Sequence, residues 1–392
     1  MTRRRLYRGL PLAAFAAAAF VMFHADTWAT ARDQSTAKSV NAGIRAFEIV
    51  PLETVSETSS NASIGDLNGD GHPDIVLVKG RHWQVTSRVF FGDSKGHFTP
   101  APALPSKAIK SYSASLADMT RSGHLDMVLS NDEPDPKLVL LNDGKGHFVV
   151  GGHYGDPKWQ TRNAAVGDLN GDGYPDIAVA NREMTSFVCF NDGKLNFDCR
   201  PLKDSPSAAT VAVADVNGDG ANDVMYACRD SCQSVVHFND GQGNFVREEP
   251  WGPPKSSTRA MAVADVDGDG RPDIAACPEE LGCFVYINDG NATFRSGIKF
   301  QTHKALPYSM IAADLNGDRR PEILVGYVEA PGVAYFNDGT GMKYQPVPFG
   351  DDGKGAIYGM AVGDLNGDEW PDVVIARSDA PCFVMFNRPP KK

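Results

Sequence analysis

Beyond residue 31 the sequence has no apolar stretch approaching the ~20 residues that a membrane-spanning helix needs. No helical spacing of apolar residues is sustained there either, which excludes a helical bundle. The signatures of the common hydrolases and nucleotide enzymes are missing: there is no G-x-S-x-G, no H-E-x-x-H and no phosphate-binding glycine loop. Cys and His never cluster at zinc-ligand spacing. Positive charge is also short, with 38 Lys and Arg against 49 Asp and Glu and a net charge of −11. Such a balance makes nucleic acid a poor partner.

What is present begins with a leader. Arg3, Arg4, Arg5 and Arg8 precede an apolar run from Leu10 to Phe23, and Ala29-Thr30-Ala31 supplies small residues for cleavage. That order predicts a signal peptide over residues 1–31, followed by a flexible linker at 32–43, and a secreted or periplasmic, cell-envelope location. A membrane anchor is the alternative, but the run is short for one. All seven cysteines lie after Ala31, which fits an oxidising compartment. Cys189 and Cys199, Cys228 and Cys232, and Cys277 and Cys283 flank short turns and can bridge locally, or all can be buried thiols. Cys382 is left over.

One nine-residue acidic pattern then recurs seven times, about fifty residues apart, starting at Asp66, Asp118, Asp168, Asp215, Asp265, Asp314 and Asp364. Around each copy lie short β-branched or aromatic runs, and an Asn-Asp-Gly turn follows, as at Asn191-Asp192-Gly193. These are the marks of antiparallel meanders. Seven four-stranded units at this period predict an all-β fold, a seven-bladed β-propeller over residues 44–388, with 389–392 as a tail. The seventh unit stops after its third strand, while Ala46 to Pro51 forms an orphan strand ahead of the first loop. That strand is expected to complete the last blade and close the ring.

Within each copy, positions 1, 3, 5 and 9 carry side-chain oxygen and position 7 offers its backbone carbonyl, a donor set that suits Ca²⁺ with its 6–8 oxygen ligands. The intact copies are Asp66, Asn68, Asp70, His72 and Asp74; Asp168, Asn170, Asp172, Tyr174 and Asp176; Asp215, Asn217, Asp219, Ala221 and Asp223; and Asp265, Asp267, Asp269, Arg271 and Asp273. Two further sets are Asp314, Asn316, Asp318, Arg320 and Glu322, and Asp364, Asn366, Asp368, Trp370 and Asp372. They have Arg319 and Glu369 where Gly stands elsewhere at position 6, which weakens them if the backbone there is left-handed. In the second copy only Asp118 and Asp126 supply carboxylates, with Thr120 and Ser122 at the donor places between them. About one structural Ca²⁺ per intact loop is expected.

These loops and turns resemble the FG-GAP or VCBS repeat family, which includes the propeller head of integrin α subunits, seven-bladed fungal lectins and many secreted bacterial proteins. The resemblance implies Ca²⁺ at positions 1, 3, 5, 7 and 9 of each matching loop. It implies no particular activity, because the fold hosts many.

Strand direction puts the acidic loops and the Asn-Asp-Gly turns at one end of the ring. Six residues before the leading Asp, at the other end, stand Ser60, Tyr112, Arg162, Ala209, Arg259, Tyr308 and Tyr358. Tyr and Arg are favoured at binding hot spots. Tyr112, Arg162, Arg259, Tyr308 and Tyr358, joined by Trp83 and Trp159, are therefore the expected binding residues for a glycan or protein ligand on the face opposite the calcium loops; gap-filling between blades is the competing role. Trp251 and Arg182 are expected at the same end. His82, His97, His124 and His147 read as scattered, and Asp132, Glu133 and Asp135 as a solvated face. A binding module is the leading functional class. A polysaccharide lyase or dehydratase on a propeller, or an envelope scaffold, are the alternatives.

Overall fold

Short runs rich in Val, Ile and Ala, cut by Gly, Asn and Asp turns, pair with their neighbours in sequence, and this happens seven times over. The computed structural model describes residues 45–388 apart from 292, 295–296, 302–304 and 352–353; the expected signal peptide, linker and tail lie outside the described residues. It contains seven four-stranded antiparallel sheets. Blades 1 to 6 span residues 59–100, 111–154, 161–201, 208–256, 258–299 and 307–349, with strands in sequence order from the axis outward. Blade 7 consists of residues 356–388 plus the strand Ala46–Pro51, which pairs with Phe383–Arg388 as the outermost strand. The innermost strands pack in order around the axis, and Ala356–Gly363 against Ser59–Gly65 closes the ring. The expected closure is therefore present.

Packing follows from side-chain size. The bulkier residues two before each leading Asp, among them Ile64, Leu116, Val166, Val213 and Val362, line an axial cavity of about 690 Å³. The small residues one before it face the next blade. A Cβ on Gly167 would lie 2.8 Å from Val213 Cγ1, and one on Gly363 would lie 3.2 Å from Ile64 Cγ2. Side chains there would overpack the crowded axis. Each second strand is sandwiched between neighbouring sheets, and every residue of Asp74–Lys79 or Glu322–Tyr327, for example, is buried. Outer strands are largely open to solvent, as in Phe148–Tyr154, where only the two end residues are buried.

Six of the seven seams share one latch. The Asn at the close of the third strand, which in five blades opens an Asn-Asp-Gly turn, donates its amide across to the second residue of the preceding blade's acidic loop: Asn142 to Leu67 O at 2.8 Å, Asn239 to Leu169 O at 2.7 Å, and Asn387 to Leu315 O at 2.7 Å are three of the six. Blade 1 has Gly92 at that place. There the segment after the closing strand supplies the tie: buried Lys79 Nζ meets Glu53 at 2.9 Å and Glu57 at 3.1 Å, and Arg88 meets both acids.

Candidate functional site

The two ends of the ring carry different chemistry. At the acidic end, the leading Asp organises its own turn. Asp66 accepts N–H bonds from Gly69 at 2.7 Å and Gly71 at 2.9 Å, while Asn68 Oδ1 accepts from Asp70 N at 3.0 Å. The loops at Asp168 and Asp215 repeat this network. Position 6 is left-handed as expected: Gly71 has φ +82°, Arg319 +66° and Glu369 +67°. The last two pay the cost that Gly avoids, of order 1 kcal/mol each.

Position 9 is different in kind. Asp74 is fully buried and accepts N–H bonds from Leu67 at 2.8 Å and Gly92 at 2.9 Å, one per oxygen; Asp126, Asp176, Asp223, Asp273 and Asp372 do the same in their blades. Glu322 accepts from Leu315 N and from the Asn316 amide. These acids tie the two ends of the loop to the third strand, and each oxygen keeps a second lone pair. Burial pushes their pKa up, to about 6 for Asp74 and about 7 for Asp176 and Asp223, against the pull of the backbone N–H groups. Their ionised form therefore calls for positive charge nearby.

Position 3 separates blade 5 from the rest. Its Asp265, Asp267 and Asp269 bring one carboxylate oxygen each within 4.8 Å of one another. The corresponding trios in blades 1, 3, 4, 6 and 7 have Asn at the middle place and so offer two carboxylates and one amide oxygen. Such a set can take a hard cation.

In those five loops the expected donors engage one another. The amide of Asn68 donates to Asp70 at 3.0 Å, that of Asn170 to Asp172 at 3.0 Å and that of Asn217 to Asp219 at 2.8 Å. Asn316 turns to Glu322 instead, and the Asn366 amide nitrogen is buried with no hydrogen-bond partner, although its oxygen accepts from Asp368 N at 3.0 Å. Position 7 was expected to serve through its carbonyl, yet its N–H also has a fixed task. It donates to the carboxylate at position 5: His72 to Asp70 at 2.9 Å, Tyr174 to Asp172 at 2.8 Å, Ala221 to Asp219 at 2.8 Å, Arg320 to Asp318 at 2.8 Å and Trp370 to Asp368 at 3.0 Å. Three of these side chains are used as well. Arg121 lies over the Tyr174 ring, Arg45 lies over the Trp370 ring, and Arg320 Nε donates to Gly339 O at 3.3 Å. Among the described residues only blade 5 brings three acids within reach of one another, because Asp267 stands where five loops have Asn and blade 2 has Thr120.

Arginines reach this end too: Arg388 Nη1 lies 3.2 Å from Asp368, and Arg271 pairs with Asp269. In blade 2, Arg121 stands where the other loops have Gly, with φ +58°, and its Nε donates to Gly173 O in blade 3 at 2.8 Å.

At the opposite end the axial cavity opens through a floor of Met261, Met310 and Met360 into a mouth of about 230 Å³. Five arginines, three tyrosines and a histidine stand among the residues that line it. Arg162 pairs with Asp132 at 2.7 Å and lies over the Tyr112 ring, 4.4 Å from its centre. Arg259 pairs with Glu279, donates to Tyr308 OH at 2.6 Å and lies over that ring at 4.7 Å. Arg182 meets Glu183 at 2.8 Å and Asp230 at 3.5 Å, and Arg229 meets Asp230 at 3.7 Å. Burial, then the neighbouring Arg259 and Arg182, hold the Arg229 guanidinium below its ordinary pKa. His82 shares a hydrogen bond with Tyr112 OH and is likewise held down by burial, then by Arg81 and Arg162. Arg81 reaches from blade 1 to Tyr358 in blade 7, 3.6 Å from the ring centre, with Tyr308 at 5.3 Å.

Disulfides brace this end. Cys228–Cys232 and Cys277–Cys283 staple the loops that carry Arg229 and Glu279, and Cys189–Cys199 joins the outer strands of blade 3. Cys382 is a buried free thiol.

The FG-GAP-like repeat pattern matches residues 66–129, 118–179, 168–226, 215–276 and 314–375, each stretch running from one acidic loop past the next. The chain belongs to this family. The matched stretches carry all seven leading Asp residues whole with their loops, and they also contain most of the mouth, from Arg81 to Arg259 and Tyr358. No curated protein matches the sequence. Among solved structures, an Agrocybe aegerita lectin that recognises non-reducing terminal N-acetylglucosamine is similar, with a TM-score of 0.55 and 20% identity over 83% of this chain and 87% of that one. BBS1N in complex with ARL6DN is similar too, with a TM-score of 0.57 and 10% identity over 87% and 95%. At these identities the likeness is one of fold.

The structure brings Tyr112, Arg162, Arg259, Tyr308 and Tyr358 together at the mouth, with Arg182. Trp83 is 67% exposed, in the loop that carries Arg81 and His82, and does not line it. Trp159 requires correction as a binding residue: it is buried and stacks on Phe187 at 4.2 Å, which leaves no face for a ligand. Trp251 is buried too, edge to face with Tyr286. Asp132 is no solvated residue but the buried partner of Arg162, and His82 is no bystander. Sequence reasoning missed Arg81 and Arg229. Arg182 and Arg229 both follow directly on a second strand, a register that also holds Asp132 and Glu279, and reading that register would have found all four.

Three disulfides are compatible with a protein that works outside the cytosol. Among the described residues no helix is long and apolar enough to cross a membrane.

Proposed function

We propose that this protein is a secreted or cell-envelope binding module whose acidic loops hold structural Ca²⁺ and whose mouth at the opposite end takes a glycan or a partner protein. The carrying observation is a contrast. The acidic loops keep the leading Asp on the turn and the position-9 acid on the third strand from blade to blade, whereas the mouth draws on Ser, Tyr, Arg or Ala at equivalent places, as a site for one specific ligand would. The donors fit the ion: carboxylate, amide and backbone oxygens, with no nitrogen or sulfur. Bound calcium supplies the positive charge that lets neighbouring loop carboxylates and the buried acids at position 9 stay ionised together. The leading Asp shapes the turn, position 9 anchors it to the third strand, and so the innermost and third strands are held at a fixed spacing. That spacing sets where the mouth side chains stand.

A glycan array and a pull-down, each run in calcium and in chelator, test this reading. Retention of ligand by the wild type and its loss in Arg162→Ala, Arg259→Ala and Tyr308→Ala is the expected result. Unchanged signals in all three variants count against the mouth.

The lyase reading has one observation in its favour, the hydrogen-bonded His82 and Tyr112 beside Arg81. A neutral imidazole there can take the proton next to a sugar carboxylate while a phenol protonates the leaving oxygen. Release of unsaturated sugar from a uronate polymer would favour it over simple binding.

A further inference from the structure

We infer that the mouth recognises a singly charged anionic group on a terminal sugar residue, a carboxylate or a sulfate ester, and that Arg81 is its anchor. This rests on the binding-module reading above and names its ligand class.

Charge pairing comes first. Of the five guanidiniums, Arg162, Arg182, Arg229 and Arg259 have acid partners in Asp132, Glu183, Asp230 and Glu279. Arg81 has no carboxylate partner among the described residues, and its contacts are to rings only. One positive charge is thus left over in a mouth belonging to a chain of net charge −11. A half-buried cation without a counter-charge is costly, and a ligand monoanion would relieve that cost.

The posture of Arg81 serves that role. Gly80 at φ +123° approaches its neighbours so closely that a Cβ would lie 2.6 Å from Ile109 O, and Arg81 itself is left-handed at φ +51°. Its backbone N–H is fixed to Ser111 O at 2.9 Å. The strained turn carries the side chain across the closing seam from blade 1 to the Tyr358 ring in blade 7. Stacking on that ring by one face leaves the N–H edges of the guanidinium for bidentate contact with a planar or tetrahedral anion.

The rest of the mouth suits a sugar more than a peptide. Tyr308 and Tyr358 meet edge to face with ring centres 4.7 Å apart, and three phenols with one imidazole give donors and acceptors for hydroxyl groups. A volume of about 230 Å³ is below the ~300–1,000 Å³ of drug-sized sites, so one end residue enters, not a chain.

The experiment is titration of the calcium-loaded full chain, by calorimetry or ligand-observed NMR, with D-galacturonate, its methyl ester, D-galactose, galactose 6-sulfate and an acetylated peptide ending in Glu. The acid sugar, the sulfate sugar or both should bind at least about tenfold tighter than galactose and the methyl ester, and which of the two binds identifies the charged group. Arg81→Ala should lose about tenfold for that ligand at an unchanged melting temperature, with Arg81→Lys falling between. Equal binding of charged and neutral sugars, absence of binding by every sugar, or full affinity in Arg81→Ala overturns the inference; so does a peptide that binds as well as the sugars. The ester comparison needs no variant, so it stands if Arg81→Ala fails to fold. Array binding of a neutral glycan that survives Arg81→Ala would sink this inference and leave the binding-module reading intact.

Discussion

At the acidic end, one blade predicts the next: the same Asp caps the same turn, and an Asn reaches back to the previous blade in six seams of seven. At the mouth the equivalent places vary around the ring: Ser60, Tyr112, Arg162, Ala209, Arg259, Tyr308 and Tyr358. The first end does in seven places what every blade needs in order to stand in a ring. The second does something that only the assembled ring can do, since Arg81 meets rings from blades 2, 6 and 7. Repetition in a propeller marks support, and its loss marks a candidate for recognition.

Substitutions at the two ends should separate these roles. The largest effect belongs to position 9. Asp223→Ala strips the acceptors from Val216 N at 3.2 Å and Asn239 N at 2.9 Å, both buried. Each orphaned donor costs about 1–3 kcal/mol, so a thermal melt should show a drop of several degrees. Next comes the latch. Asn239→Ala leaves Leu169 O and Asn222 O without their amide partner and should cost about 1–2 kcal/mol by denaturant titration, with ligand binding retained.

Proton uptake gives the third test. In chelator, the acids at position 9 have folded-state pKa values raised to about 6 (Asp74, Asp126), about 7 (Asp176, Asp223, Asp273, Asp372) and about 8 (Glu322), against ~4 in the unfolded chain. A raised acid binds protons more tightly when folded, so stability is highest at low pH and is lost as pH rises from about 4 to about 8. His237, held down to about 4 by burial, opposes this with a single proton. The melting temperature of metal-stripped protein should therefore fall between pH 5 and pH 8, and calcium should flatten that slope. The smallest stability effect is at the mouth: Arg81→Ala should stay within ~0.5 kcal/mol of wild type while ligand binding falls. A large loss of stability there, with none in Asp223→Ala, would invert the comparison.

Legibility divides along the same line. The seven blades and the closing role of Ala46–Pro51 could be read because β-strand alternation and turn residues are local, and repetition multiplies a weak signal. The residues six before each leading Asp could be placed at one end for the same reason. Arg81 and His82 were hidden because they sit in a connection between strands whose length differs from its counterparts, off the repeat register. The Asn latch was read as turn chemistry alone, since its partner lies some seventy residues away in sequence, as with Asn239 and Leu169. Within the acidic loops, spacing marked the oxygen-bearing side chains but not their mutual bonds, such as the amide of Asn170 donating to Asp172. Trp159 misled because an aromatic near a loop looks alike whether it faces solvent or stacks on Phe187.

The claim that cations at the repeated end hold up the ring is tested most directly by titrating calcium into chelator-stripped protein while following the melting temperature. The account predicts uptake of several ions per chain and a melting temperature that climbs with calcium, since each site filled to a hundredfold above its Kd adds about 2.7 kcal/mol. Absence of uptake together with an unmoved melting temperature would contradict it.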